Sequence, residues 1–134
     1  MKPIIIYGPE RSGKTFLAKS ISMGFEHPVF INGRDKRLIE GPWIFSQVTK
    51  TTDLIVFEDV SPVVFPMIDF IIRSDKIKVE SRGKEAYDLP LPKIIIEGDL
   101  DKLHLLDNFK HRAKLIECWY GTYFSFQVKS NPDV

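Results

Sequence analysis

The sequence predicts an α/β protein: a three-layer αβα sandwich on a mainly parallel five-stranded sheet, with an inserted β-hairpin and a C-terminal antiparallel strand. Three observations carry that expectation. Short, uninterrupted apolar runs recur along the chain, as they do in strands buried on both faces. Segments of helical periodicity alternate with them, the order expected of a layered α/β unit. A glycine-rich segment, GPERSGKT at Gly8 to Thr15, joins the first run to the first helical segment.

Pro3 to Tyr7 is the first strand, and similar runs follow at Pro28 to Ile31, Leu54 to Phe57, Lys93 to Ile96 and Lys114 to Cys118. Thr15 to Met23 is the first helix, because Phe16, Leu17 and Ile21 share one face. Pro42 to Val48 reads as a short second helix and Pro62 to Arg73 as a third. Pro66 leaves the start of that third helix open, since proline suits a first turn and breaks an interior. Asp101 to Arg112 is the fourth, with Leu103, Leu106 and Lys110 along a face. Two segments break the alternation. Ile77 to Leu89 places apolar residues on either side of Arg82-Gly83, the pattern of a hairpin with a glycine turn. In Thr122 to Val128, Phe124, Phe126 and Val128 fall on one side, which predicts an antiparallel strand with one packed face. Residues 129–134 read as a frayed tail.

The 134 residues suit a single domain, with the hairpin as an insertion at about 76–90. Lys+Arg 19 against Asp+Glu 18, a formal net charge of +1, gives no global nucleic-acid footprint, so any basic surface must be local. A single cysteine, Cys118, excludes an internal disulfide, and no Cys/His cluster has zinc-ligand spacing. There is no basic-then-apolar leader and no apolar run near the roughly 18 residues of a membrane span. The expectation is a cytoplasmic protein with no membrane partner.

GPERSGKT fits G-x-x-x-x-G-K-[ST], the pattern of a phosphate-binding loop, which arises by chance in roughly one chain of this size in a few hundred. Its glycines let several backbone N–H groups turn toward one anion, and the following helix adds the positive end of its dipole. The residues assigned to the nucleotide are therefore Gly8, Pro9, Glu10, Arg11, Ser12, Gly13, Lys14, Thr15 and Phe16. Lys14 supplies a mobile charge for the terminal phosphates, and the Thr15 hydroxyl suits the magnesium ion that accompanies them. Hydrolysis further needs an acid for the metal and a base for water. Glu58-Asp59, at the end of Leu54 to Phe57, supplies both types where open α/β sheets place their ligands. The competing role for these acids is to cap the next helix, although Ser61 already stands ready for that.

GPERSGKT followed at this separation by LIVFED resembles the additional-strand (ASCE) division of P-loop NTPases, and the later segments resemble the AAA+ proteins, above all the superfamily III helicases. The resemblance spans Pro3 to about Cys118. It implies the P-loop NTPase fold, ATP and Mg2+ as cofactors, and an oligomeric ATPase. By position it makes Glu58 the metal acid beside Thr15, and Asp59 the base. Most relatives carry these two types in the opposite order. A polar sensor falls on Asp99, where relatives usually have Asn or Thr. Arg112 matches an arginine that reaches the γ-phosphate of a neighbouring subunit. The hairpin matches one that points into a ring's pore, so Lys78, Arg82 and Lys84, with Lys76 beside them, are implied to touch single-stranded DNA or RNA.

Three functions follow. The first is an ATP-hydrolysing motor core acting as a homo-oligomer or in a larger complex on nucleic acid or protein. The second is a small-molecule kinase of nucleotide type, which uses the same loop but passes phosphate to a bound acceptor. The third is a nucleotide-binding switch that does not hydrolyse. Arg112 has a second reading as a cation at a helix C-terminus. The Gly33 to Arg37 stretch reads as a solvated loop, and Cys118 as a core thiol.

Overall fold

A computed structural model describes residues 2–35, 37, 45, 47–79, 83, 85–120 and 126–130. The elements are β1 (Ile4–Tyr7), α1 (Lys14–Ser22), β2 (Pro28–Asn32), β3 (Leu54–Glu58), α2 (Phe65–Ser74), β4 (Lys76–Val79), β5 (Tyr87–Pro90), β6 (Lys93–Gly98), α3 (Lys102–Phe109), β7 (Lys114–Tyr120) and β8 (Phe126–Ser130). The main sheet has the order β2-β3-β6-β1-β7-β8. Its first five strands are parallel, and β8 runs antiparallel to β7. A separate antiparallel pair, β4 and β5, forms the hairpin.

In the central strands the apolar runs are uninterrupted because both faces of the sheet are covered, whereas β2, at the sheet edge, leaves Phe30 exposed. Ile6, Leu54, Val56 and Ile95 pack with Ala18, Leu17 and Ile21 of α1. Their sequence neighbours Ile5, Ile55, Phe57, Ile94 and Ile96 face the other way, onto Phe65 and Ile68 of α2, Leu105 and Phe109 of α3, and Ile77, Val79 and Leu89 of the hairpin. Burying each such side chain fully contributes about 1.5–3 kcal/mol, so the central strands form the stable frame on which the loops at their ends are mounted.

The helices differ from expectation at their ends. α2 starts at Phe65 rather than Pro62, which puts Pro66 in the first turn, where its missing N–H costs nothing. Val64 stands at the N-cap without a side-chain cap, and Ser61 closes the turn ahead of it, receiving the Val64 N–H on its hydroxyl and the Phe65 N–H on its carbonyl. α2 stops where Asp75 turns left-handed at φ 56°. α3 begins with Asp101 as N-cap, its side chain accepting the Leu103 N–H at 3.2 Å, and ends at Phe109, three residues short of Arg112. The expected helix over Pro42 to Val48 lies largely outside the described residues, although Phe45 and Val48 are both buried in the core. The terminal strand is antiparallel, as expected. It extends through Lys129 and Ser130, paired with Glu117 and Ile116, so the fraying expected from Lys129 is corrected there, and residues 131–134 lie outside the described set.

Candidate functional site

The Gly8–Thr15 loop leaves β1 beside the backbone of β7. A Cβ on Gly8 would lie 2.1 Å from the Cys118 carbonyl oxygen, and the residue has φ 148°, so only glycine fits. The loop then folds on itself. Ser12, almost wholly buried, donates its hydroxyl to the Pro9 carbonyl at 2.7 Å, and Arg11 adopts φ 59°. Lys14 is only 8% exposed, and its ammonium donates to the carbonyls of Gly8 at 2.8 Å and Pro9 at 2.6 Å. α1 follows from Gly13, which has φ 91° and no side chain to cap the helix. Leu17 makes its backbone bond to Gly13 at 2.9 Å, so the amides of Gly13, Lys14 and Thr15 precede the intrahelical ladder. Such free amides suit an anion.

The second half of the site hangs on the ends of β3 and β6. After Glu58 the chain turns through Asp59, whose φ of 51° is uncommon for a residue with a side chain. Val60 fixes that turn: wholly buried, it lies so close to Gly33 and Gly98 that a Cβ on either would meet its atoms at 2.5 Å. The Val60 N–H donates to the Glu97 carbonyl at 2.8 Å, and the Asp59 N–H donates to the Glu97 carboxylate at 2.5 Å. The same carboxylate oxygen accepts the Thr15 hydroxyl at 3.3 Å. Glu97 is 2% exposed. Burial pushes its pKa up, while the Asp59 amide, the Thr15 hydroxyl and the Lys14 charge pull the other way.

These groups enclose one open cleft of about 540 Å³, lined by Glu10, Arg11, Gly13, Lys14, Thr15 and Phe16 on one side and by Asp59 and Glu97 on the other. Phe16 stands at its edge, 66% exposed. Arg34, just past β2, binds Asp59 with Nε 2.7 Å from Oδ2, and both side chains are more than half exposed. The negative charges of Glu10 and Asp99 also bear on Arg34, so the rim is mixed in charge.

The structure thus brings Lys14, Thr15 and Asp59 together with most of the loop, and leaves other expected residues elsewhere. Glu58 is half-buried at the end of β3 and does not line the cleft. Asp99 is exposed one residue beyond β6 and does not line it either. Arg112 lies toward the opposite end of the sheet, next to Lys114, which pairs with Ile4 at the start of β1. Its guanidinium donates to the Asn108 carbonyl at 3.0 and 2.8 Å, meets Asp69 at 3.3 Å and lies 4.3 Å from the Phe109 ring centroid, the pattern of a cation closing a helix C-terminus. Lys78 is exposed on β4 opposite Asp88, on the face of the hairpin turned from the core. Arg82 and Lys84 lie outside the described residues.

Two residues of the site escaped the sequence reading. Glu97 had a signal, a carboxylate directly after the apolar run Ile94 to Ile96, since an acid carried into a central strand needs a partner. Arg34, on an exposed loop, had none. Among the described residues, no group of three or more His, Cys, Asp or Glu could hold a metal by itself. The oxygen donors of Thr15 and Glu97 nevertheless suit a hard cation that arrives already bound to phosphate. No helix among the described residues is long and apolar enough to cross a membrane. No protein-family model matches the chain, and no curated protein matches its sequence.

Proposed function

We propose that the chain is a magnesium-dependent ATP-binding and ATP-hydrolysing protein of the P-loop NTPase class, with the ASCE/AAA+ arrangement and most like a superfamily III helicase-type motor core. One observation carries this reading: Lys14, Thr15 and the acids Asp59 and Glu97 converge on one cleft at the carboxyl ends of parallel strands, although they come from three separate segments of the chain. The sheet order supports the narrower class. β6 stands between β1, which leads into the loop, and β3, which carries the acid pair, as an additional strand would.

In this reading the loop amides and Lys14 bind the β- and γ-phosphates, Thr15 with an acid at the strand ends holds the magnesium, and Asp59 orients the attacking water. Lys14 must then leave the Gly8 and Pro9 carbonyls for phosphate. Arg112 cannot serve its own chain's cleft from the far end of the sheet, so any action on a γ-phosphate is in trans, within a homo-oligomer. Lys78, Arg82 and Lys84 are the residues to carry single-stranded DNA or RNA, and Asp99 is left as a rim charge acting on Arg34.

A second reading, a nucleotide-binding switch without turnover, is favoured by the ion pair of Asp59 with Arg34, which occupies the expected base. Steady-state ATP hydrolysis by wild type and Asp59→Ala, across protein concentration and with or without single-stranded DNA or RNA, separates the two. The motor requires turnover that rises with both and collapses in the variant. ATP binding without turnover under every condition leaves the switch.

A further inference from the structure

Two glutamates end adjacent strands on the sheet face that α1 covers. Glu58 follows Leu54 and Val56 in alternation, and Glu97 follows Ile95, all three of these apolar residues packing with Ala18 of α1. They are not equivalent. β6 is hydrogen-bonded directly to β1, whereas β3 lies one strand further away, so Glu97 starts about 4.8 Å nearer the loop. That step decides which carboxylate meets Thr15. Glu97 accepts its hydroxyl, and Glu58 does not reach the cleft.

We propose that Glu97, and not Glu58, is the carboxylate that positions Thr15 for the divalent cation of a bound nucleoside triphosphate, and that it ties Asp59 to the same point. This deepens the function proposed above and rests on it. A hydroxyl has one proton to give and two lone pairs to offer. With its proton committed to Glu97, the Thr15 oxygen turns its lone pairs toward the cleft, where the cation of a metal–nucleotide complex would lie. The second bond of the Glu97 oxygen, from the Asp59 N–H, holds Asp59 in its left-handed turn beside the same cleft. A carboxylate this buried costs free energy to keep charged, and a cation at Thr15 offsets that cost, so the cation and Glu97 strengthen one another. Glu97 is a positioning residue: it acts through Thr15 and through the Asp59 amide.

The test is equilibrium binding of ATP to the intact chain, once in EDTA and once with saturating Mn2+, with free Mn2+ read by electron paramagnetic resonance. Wild type, Glu97→Gln, Glu97→Asp and Glu58→Gln are compared, each with a thermal melt. In the wild type Mn2+ strengthens ATP binding. Glu97→Gln is expected to lose about 10- to 100-fold of that gain, the usual effect of removing a partner that orients a metal ligand. Glu97→Asp restores part of the gain, and Glu58→Gln keeps it. If Glu97→Gln does not fold, Glu97→Asp against Glu58→Gln decides: a smaller gain in the former supports the proposal, and an equal or larger loss in the latter overturns it. A full Mn2+ gain in folded Glu97→Gln overturns the proposal alone. Wild type that binds no ATP in either condition overturns the proposed function, and this inference with it.

Discussion

The buried carboxylate of Glu97 accepts the hydroxyl of Thr15 at 3.3 Å, across 82 residues of sequence. This bond joins the glycine-rich loop to the far side of the cleft. It exists because β6 is the immediate neighbour of β1, with Ile6 level with Glu97 in the parallel register.

The same closeness of strands makes Gly8 a steric requirement. Gly8→Ala sets a methyl group against the Cys118 carbonyl, which is backbone of a central strand and cannot yield cheaply. We expect a loss of at least about 2 kcal/mol in urea unfolding. Gly83→Ala is the control: it also has positive φ, at 78°, but meets no atom within 4 Å, so it carries only the left-handed cost of about 1 kcal/mol.

Asp53 contributes stability to the fold that depends on pH. Partial desolvation works against its charge, but the N–H groups of Glu26 and His27, each at 2.9 Å, outweigh it and hold the carboxyl below its ordinary range. The unfolded chain therefore binds this proton more readily than the folded one. The stabilisation is complete above the unfolded value of about 3.9 and is lost as pH falls through the lower folded value. Urea unfolding from neutral to strongly acidic pH should show Asp53→Asn less stable than wild type at neutrality, with the two curves converging in acid. A constant gap across pH would contradict this account.

Much of the frame was legible because the central strands are buried on both faces and so leave unbroken apolar runs. Leu54 to Phe57 and Lys93 to Ile96 could be placed for that reason, as could the hairpin around Gly83. Partnerships between segments were not legible. The apolar run at β6 stops at Ile96, but the strand continues through Glu97 and Gly98, and nothing local to KIIIEGD tells that Thr15 and the Asp59 amide wait for that carboxylate. Arg34 was hidden for a similar reason: an arginine in a polar loop looks solvated until the turn at Val60 sets Asp59 opposite it. Arg112 carried two readings, an arginine that the resemblance sends to a neighbouring subunit's γ-phosphate and a cation at a helix C-terminus, and within its own chain the contacts with Asn108 and Asp69 are those of the second.

Arg34 should restrain Asp59. If Asp59 orients the water, removing an exposed partner frees its carboxylate, and because exposed ion pairs are weak the effect is modest: Arg34→Ala should raise the ATP hydrolysis rate about two- to fivefold. High salt should screen the pair and narrow the difference between variant and wild type. A large fall in hydrolysis in Arg34→Ala would instead show that Arg34 itself is needed at the phosphates.

The most direct test of the central claim, that this cleft holds ATP with magnesium, is isothermal titration of ATP into wild type and Lys14→Ala in the presence of Mg2+. Lys14 also holds the loop through the Gly8 and Pro9 carbonyls, so a thermal melt first establishes that the variant is folded at the titration temperature. The account predicts saturable binding by wild type that weakens about 10- to 100-fold in the variant, the range expected for losing hydrogen bonds from a charged group. Equal affinity in the two proteins, or no binding by wild type, would contradict it.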